Sequence, residues 1–185
     1  MSLSQLPSAG ELPNVLVMGV GSILMTDEGV GIRAIEELER RYRFPENVQL
    51  LDGGTSGIEL LSHISGRECL VIIDAIRGGH PPGTVLRVEG EDVPAKFMTR
   101  ISPHQLGISD LLAAATLTGE VPKKLVLFGI EPKEIVMGIG LSDEVRASLG
   151  RLVEVVVQEL EMMGCELVAL GPDEIADSES IWGRI

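Results

Sequence analysis

The spacing of apolar and polar positions changes several times along the chain, and each change marks a predicted element. Short, nearly unbroken apolar runs predict strands that are covered on both faces, and they lie in residues 14–20, 47–52, 69–76 and 123–132. Apolar side chains three or four positions apart predict helices over residues 30–42, 57–65, 105–119 and 143–163. Strands and helices therefore follow one another through most of the chain.

One link departs from this strand-and-helix order. Residues 84–90, TVLRVEG, predict a further strand, and only RGGHPPG separates it from the strand before. A helical crossover between parallel strands needs about a dozen residues or more, so this fourth strand is predicted to run antiparallel. Residues 89–103 are predicted to be irregular. The predicted fold class is α/β, a three-layer α/β/α sandwich with a five-stranded mixed sheet whose fourth strand is antiparallel.

The length of the chain predicts one domain with less regular ends. At 185 residues a single domain is expected, and we place it at residues 14–163. Residues 1–13 are expected to form a flexible leader, and residues 164–185 an acidic, mobile tail. No apolar segment approaches the roughly 20 residues of a membrane span, and the first residues lack an export signal. These features predict a cytoplasmic protein.

Charge and aromatic content narrow the classes of partner. The formal net charge is −13, and aromatic residues make up 3% of the chain. Because nucleic acids and anionic membranes attract basic surfaces, neither is expected as a partner. Cys69 and Cys165 belong to no CxxC pair, which predicts free thiols in a reducing compartment.

The segment GVGSILMTDEGVG, residues 19–31, begins like a dinucleotide-binding loop. The fingerprint of such a loop requires glycine where Leu24 stands. Asp27 and Glu28 would also repel a pyrophosphate at the positive end of the following helix, so a nucleotide-dependent enzyme is disfavoured. Both acids fit an ordinary helix start with Thr26 as its cap, or a functional site, and the loop alone leaves these alternatives open.

Three candidate site residues lie where predicted elements end or begin. Glu28 follows the first strand, Asp74 closes the third, and His104 opens a later helix. Functional sites of α/β sheets form beyond the carboxyl ends of the strands, which would bring these residues near one edge. One imidazole and two carboxylates suit a borderline divalent ion such as nickel or zinc. Considered alone, Asp74 could instead be a residue that caps the following turn, and His104 could have a purely structural role.

Five motifs follow one another over residues 15–132, namely GVGSILMTDEGVG, LLDGGTSGIELL, VIIDAI, SPHQLGISDLLAAATLTG and LFGIEP. Together they resemble the hydrogenase maturation endopeptidase family, which trims the C-terminal extension from the large subunit of nickel–iron hydrogenases. The resemblance implies an α/β/α sandwich with a five-stranded mixed sheet. The SPHQLG and GIEP versions resemble the branch that serves uptake-type hydrogenases, and Ser22 stands where many members have asparagine.

The resemblance also implies roles for individual residues. Glu28, Asp74 and His104 match the family's metal-binding positions. Asp27 or Asp74 is the expected base that activates water. The metal, or the amides of residues 19–31, which we call the glycine loop, would stabilise the oxyanion. Contacts with the substrate are expected in the loops after the first two strands, at Gly19, Gly21, Gly29, Gly53, Gly54 and Thr55.

The partner that the resemblance implies is the large-subunit precursor, which supplies the nickel. Zinc or cadmium is expected to be able to occupy the same site in vitro. Cleavage would then occur only on metal-loaded precursor, by a metal-assisted or an aspartic-type mechanism. A chaperone that docks the nickel-loaded subunit without cutting it would use the same three ligands, and it remains the alternative. The family-based expectation for the assembly is a monomer.

Overall fold

A computed structural model describes residues 12–98, 103–171 and 174, and for residues 98 and 103–106 the description is of the backbone. The strands are β1 Val15–Val20, β2 Tyr42–Arg43, β3 Val48–Gly54, β4 Cys69–Ala75, β5 Val85–Glu89, β6 Lys124–Ile130 and β7 Val168–Ala169. The helices are α1 Val30–Arg41, α2 Leu61–Ile64, α3 Asp92–Met98, α4 Pro103–Thr118 and α5 Asp143–Met162. Single 3₁₀ turns, Thr26–Gly29 and Ile58–Leu60, precede α1 and α2. None of the described helices is long and apolar enough to cross a membrane.

Five of the strands form one mixed sheet in the order β3-β1-β4-β6-β5. β1 lies parallel to β3 and β4, so that Val17 is in register with Leu50 on one side and Val71 on the other. β4 and β6 are also parallel, whereas β5 pairs antiparallel with β6 at the edge. The predicted sandwich with a reversed fourth strand is confirmed. That strand neighbours β6 rather than the strand that precedes it in the chain.

Helices cover both faces of the sheet, which explains why its central strands are apolar at nearly every position. Along β1, Val15 and Val17 belong to one core with α1 and α5. Leu16 and Met18 belong to a second core with α2, α3 and α4. Because both faces are buried, the strand shows none of the alternation that marks a sheet with one face in water.

The helix α3 lies in a stretch that the sequence predicts to be irregular, and for Asp92–Met98 this prediction is wrong. Val93 and Phe97 lie one helical turn apart, and both are buried in the second core. Pro94 obscures the helical pattern, although proline is tolerated in a first turn, where its missing N–H has no partner within the helix. α4 also begins two residues earlier than predicted, at Pro103.

The chain after α5 packs on the domain up to residue 171. Cys165 is buried in the first core, and β7 pairs antiparallel with β2. The N–H of Leu170 donates a hydrogen bond of 2.8 Å to the carbonyl of Arg41. Residues 165–171 therefore pack on the domain, beyond its predicted end at residue 163. The rest of the predicted tail, apart from residue 174, and the leader up to residue 11 lie outside the described residues.

Candidate functional site

The loop between β1 and α1 is folded tightly onto itself. At Gly21, where φ is +124°, an added Cβ would lie 1.9 Å from the carbonyl oxygen of Glu28. At Gly19 an added Cβ would lie 2.2 Å from the carbonyl oxygen of Gly31. The space beside these glycines is filled by the chain's own backbone, which holds Glu28 against the end of β1.

Gly31 joins this loop to the ends of two strands. An added Cβ there would lie 2.4 Å from the carbonyl oxygens of both Val20 and Ile73, so α1 begins in direct contact with β1 and β4. Asp74 follows Ile73 and is fully buried, and Glu28 is only 6% exposed. The close approach at Gly31 therefore brings two of the predicted metal-binding positions to the same edge of the sheet.

Asp27 fastens the 3₁₀ turn to the loop that precedes α5. Its Oδ2 accepts hydrogen bonds from the N–H groups of Lys133 at 2.9 Å and Glu134 at 3.1 Å. Ser142 donates its N–H to Oδ1 at 2.7 Å and its hydroxyl to Oδ2 at 2.8 Å. Hydrogen bonds to a carboxylate are among the strong ones, so the buried Asp27 acts as a clasp between residues 26–29 and 133–142.

Thr26 belongs to the same connection and does not cap α1. Its φ is +43°, an uncommon value for a β-branched residue. Its hydroxyl donates to the carbonyl of Glu134 at 3.0 Å and accepts from the N–H of Val136 at 3.1 Å. The alternative in which Thr26 caps the helix does not hold, because the hydroxyl is engaged by a loop more than a hundred residues away.

Glu131, a carboxylate for which the sequence predicts no role, holds the loop after β4. It is buried, and its Oε2 accepts hydrogen bonds from the N–H groups of Gly78 at 2.6 Å and His80 at 3.2 Å. Asp74 instead accepts the N–H of the next residue, Ala75, at 2.7 Å. Glu131 thus performs the turn-capping task considered for Asp74. Its signal was present in the sequence, since it directly follows the apolar run of β6.

The first turn of α4 lies against the loop after β3. An added Cβ at Gly57 would lie 2.8 Å from Cα of Gly107, so the two backbones touch. His104 is the second residue of α4, and its side chain lies outside the described part of the structure. Among the side chains that are described, no three histidines, cysteines or acids form a group that could hold a metal. The ligand set Glu28, Asp74 and His104 stays a prediction.

Of the remaining residues expected to contact substrate, Gly54 and Thr55 lie nearest to solvent. Thr55 is exposed and Gly54 is half-buried. Gly53 and Gly29 are buried, and an added Cβ at Gly53 would lie 3.1 Å from the side chain of Met18. Buried glycines of this kind serve the packing of the loops, so substrate contact is a prediction that suits Gly54 and Thr55 best.

Buried carboxylates are concentrated at this edge of the sheet. Of the five buried charged side chains in the described residues, four lie here, namely Asp27, Glu28, Asp74 and Glu131. The fifth, Glu159, forms ion pairs of 2.7 Å with Arg87 and Lys124, and Arg87 above all holds the pKa of Glu159 below its ordinary value. Because burying an acid is costly, buried acids at this edge are typical of a catalytic or metal-binding site, although Asp27 and Glu131 bind the N–H groups of neighbouring loops.

Comparison with protein families identifies the class of this protein. The family model HycI, described as hydrogenase maturation protease, matches residues 32–159. The chain belongs to the hydrogenase maturation protease family. The matched part of this protease includes Asp74 and His104 and begins just after Glu28.

Curated relatives of the protease confirm its enzymatic class. The hydrogenase 2 maturation protease of Escherichia coli K12 is 46% identical over 155 residues, which cover 83% of this chain and 94% of that protein. The hydrogenase expression/formation protein HoxM of Azotobacter vinelandii is 42% identical over 164 residues, with coverages of 87% and 79%. The predicted family, and the prediction of a peptidase, are both confirmed.

Solved structures agree with the fold of the protease. The hydrogenase maturating endopeptidase HybD from E. coli matches with a TM-score of 0.82 and 46% identity, over 84% of this chain and 97% of that one. The maturation protease HybD from Thermococcus kodakarensis matches with a TM-score of 0.67 and 32% identity, over 80% and 99%. The mixed sheet and the helices on its two faces are therefore the architecture of the family.

Proposed function

We propose that this protease removes the C-terminal extension from the large-subunit precursor of a nickel–iron hydrogenase, and that it acts only on nickel-loaded precursor. The observation that carries the proposal is the close approach at Gly31, which places the buried Glu28 and Asp74 at one edge of the sheet. Membership of the family supports the class of reaction and the kind of partner. The buried acids supply a physical reason for dependence on a metal.

Nickel enters as part of the substrate in this proposal. Glu28 and Asp74 offer carboxylate oxygens, and His104, at the start of α4, offers an imidazole. A borderline divalent ion accepts such a mixed set of ligands, so zinc or cadmium added to the isolated protein would bind through the same side chains. A precursor without nickel lacks this contact and remains uncut.

Asp74 is the carboxylate that we assign as the catalytic base. Both oxygens of Asp27 accept hydrogen bonds from the loop before α5, so Asp27 is assigned the task of holding that loop. Asp74 would take a proton from the attacking water. The N–H groups of the glycine loop or the nickel of the precursor would stabilise the oxyanion, and this assignment suits a metal-assisted as well as an aspartic-type mechanism.

Mass spectrometry of the large-subunit precursor, with and without nickel and with and without the protease, tests the proposal. We expect a mass loss equal to a C-terminal peptide only when nickel and the protease are both present. An unchanged mass together with a stable complex would contradict cleavage and support the non-cleaving chaperone. Cleavage of both precursor forms would keep the peptidase but remove nickel as its recognition element.

A further inference from the structure

An exposed apolar surface lies beside the candidate site. Met137 is 89% exposed and Ile139 is 79% exposed, although both have large apolar side chains. We call this the apolar loop surface, and its members are Ile23, Leu24, Val136, Met137 and Ile139. Residues 23–24 and 136–139 form one surface, because Gly138 donates its N–H to the carbonyl of Leu24 and accepts from the N–H of Thr26, each at 2.9 Å. A cluster of exposed apolar side chains of this kind is typical of an interaction site.

One side of the backbone of this loop, residues 134–138, is hydrogen-bonded to the turn that precedes α1. Glu134, Val136 and Gly138 form hydrogen bonds to residues 24–27, so alternate residues face the 3₁₀ turn. The chain bends at Met137, Ile139 and Gly140, and the side chains of Met137 and Ile139 are exposed beside their own backbone N–H and carbonyl groups. Within the described residues, no hydrogen bond is formed by these groups. A bound peptide could therefore form hydrogen bonds with these backbone groups while its apolar side chains pack on the surface.

The charge around the surface points to the kind of peptide that would bind. Among the described residues, three carboxylates and two cations lie around the surface. Lys133 forms a 2.9 Å ion pair with Glu144, and Arg146 donates to the carbonyl of Leu141 at 2.8 Å, whereas the carboxylates of Glu134 and Asp143 are exposed. The chain as a whole carries a net charge of −13. Opposite charge on the partner would speed and orient its binding, so basic side chains are favoured beside the apolar ones.

We propose that the apolar loop surface binds a segment of the hydrogenase large-subunit precursor that has apolar side chains flanked by lysine or arginine. The inference rests on the proposed function, because it takes the substrate of the candidate site as the occupant of the neighbouring surface. The apolar loop surface is continuous with the candidate site, which favours the precursor as its occupant. The hydrogen bonds of Thr26 and Asp27 that fix the loop come from the same turn that carries Glu28. A segment on the surface therefore lies next to the candidate site.

A double variant, Met137→Ser with Ile139→Ser, tests the surface directly. Binding of the nickel-loaded precursor from the same organism is measured with the full-length protease, and mass spectrometry follows cleavage in the same samples. We expect the Kd of the double variant to rise at least about tenfold. The matched control is Leu117→Ser, because Leu117 is also 89% exposed but lies about 20 Å along α4 from His104. This control should bind like the unmodified protease.

A second variant, Glu134→Lys, keeps the test decisive if the double variant fails to fold in a thermal melt. The side chain of Glu134 is exposed, and its hydrogen bonds to the 3₁₀ turn are made by its backbone. We expect precursor binding to weaken about threefold at low salt and by less at high salt. Unchanged binding at low salt would overturn the charge argument and the proposal with it.

The other outcomes separate this inference from the proposed function. Unchanged precursor binding by a folded double variant overturns the inference. It is also overturned if the unmodified protease is a dimer and the double variant is a monomer that binds the precursor with unchanged affinity. Binding that depends on the surface, without any shortening of the precursor, supports the inference and contradicts proteolysis. A protease that neither binds nor cuts the precursor overturns both.

Discussion

Asp27 and Glu28 are adjacent in one 3₁₀ turn, yet they stand in different relations to the rest of the molecule. Asp27 is tied to the loop before α5 by four hydrogen bonds. Glu28 has its backbone pressed against Gly21 and is the proposed nickel ligand. At the scale of single residues, we therefore expect Asp27 to contribute mainly to stability and Glu28 mainly to activity.

Replacing Glu28 by glutamine should stop processing while the fold survives. The amide has nearly the shape of the carboxylate but lacks its charge, so we expect at least about a 100-fold slower release of the C-terminal peptide. Mass spectrometry of the nickel-loaded precursor gives the rate, and a thermal melt confirms the fold. Processing at the unmodified rate would remove Glu28 from the site.

Asp27→Asn should mainly lower the stability of the protein, whereas Asp74→Asn should mainly stop cleavage. An amide at position 27 would direct its own N–H groups at those of Lys133 or Ser142, which should lower the free energy of unfolding by about 1–3 kcal/mol. Asp74→Asn should abolish cleavage in a protein that still folds. Urea unfolding and the processing assay are compared for both variants. If Asp27→Asn ended cleavage without loss of stability, the catalytic base would be Asp27.

The candidate site was only partly predictable from residues. The ends of apolar strands indicate Glu28 and Asp74, since an acid that follows a buried run is conspicuous in the sequence. The hydrogen bonds of Asp27 and Thr26 join positions more than a hundred residues apart, and such contacts leave no periodicity or spacing to read. Glu131 carried the same signal as Asp74 and could have been found.

At the scale of elements, α5 is tied to two strands of the sheet through one buried carboxylate. Glu159 of α5 pairs with Arg87 of β5 and Lys124 of β6. Glu154 lies on the same helix and pairs with Arg151 at 3.5 Å, but both side chains are largely exposed. The two glutamates therefore provide a matched comparison of a buried and an exposed ion pair.

Glu159→Gln should lower the free energy of unfolding by about 1–3 kcal/mol at pH 7, because the two ion pairs lose their charge. The pKa of Glu159 is lowered in the folded state, chiefly by Arg87. Its stabilisation is therefore complete above the ordinary carboxyl pKa and is lost as the pH falls through the lower, folded value. Urea unfolding from pH 7 down to about pH 3 should show a shallower acid loss in this variant.

The control for this experiment, Glu154→Gln, should change stability by less than about 0.5 kcal/mol at any pH in the range, because exposed ion pairs contribute little. If Glu154→Gln lowered the free energy of unfolding as much as Glu159→Gln, the pH dependence of stability would arise from groups other than Glu159.

The larger elements followed from the sequence, whereas the small ones did not. β1, β4 and β6 are apolar at nearly every position because helices cover both faces, and this continuity predicted them. β2 and β7 have two residues each, too few to show a period. α3 has one apolar pair and a proline in its first turn, so tertiary packing rather than local pattern defines it.

At the scale of the whole molecule, Cys69 and Cys165 belong to the same buried core although they lie on distant parts of the chain. Burial raises the pKa of both thiols above the ordinary value. Since the thiolate is the reactive form, both should resist alkylation while the protein is folded. Mass spectrometry during iodoacetamide treatment should show both cysteines modified together, at the rate of global unfolding. Rapid labelling of one thiol alone would show that the core opens locally.

The clasp of Asp27 on Ser142 also sets the order in which the protein is completed. The two residues are 115 positions apart, so the glycine loop leaves the ribosome long before its anchor does. A growing or prematurely ended chain carries Glu28 on a turn that lacks its hydrogen bonds to residues 133–142. We therefore expect the ability to mature a hydrogenase to be acquired only after residue 142 has been synthesised.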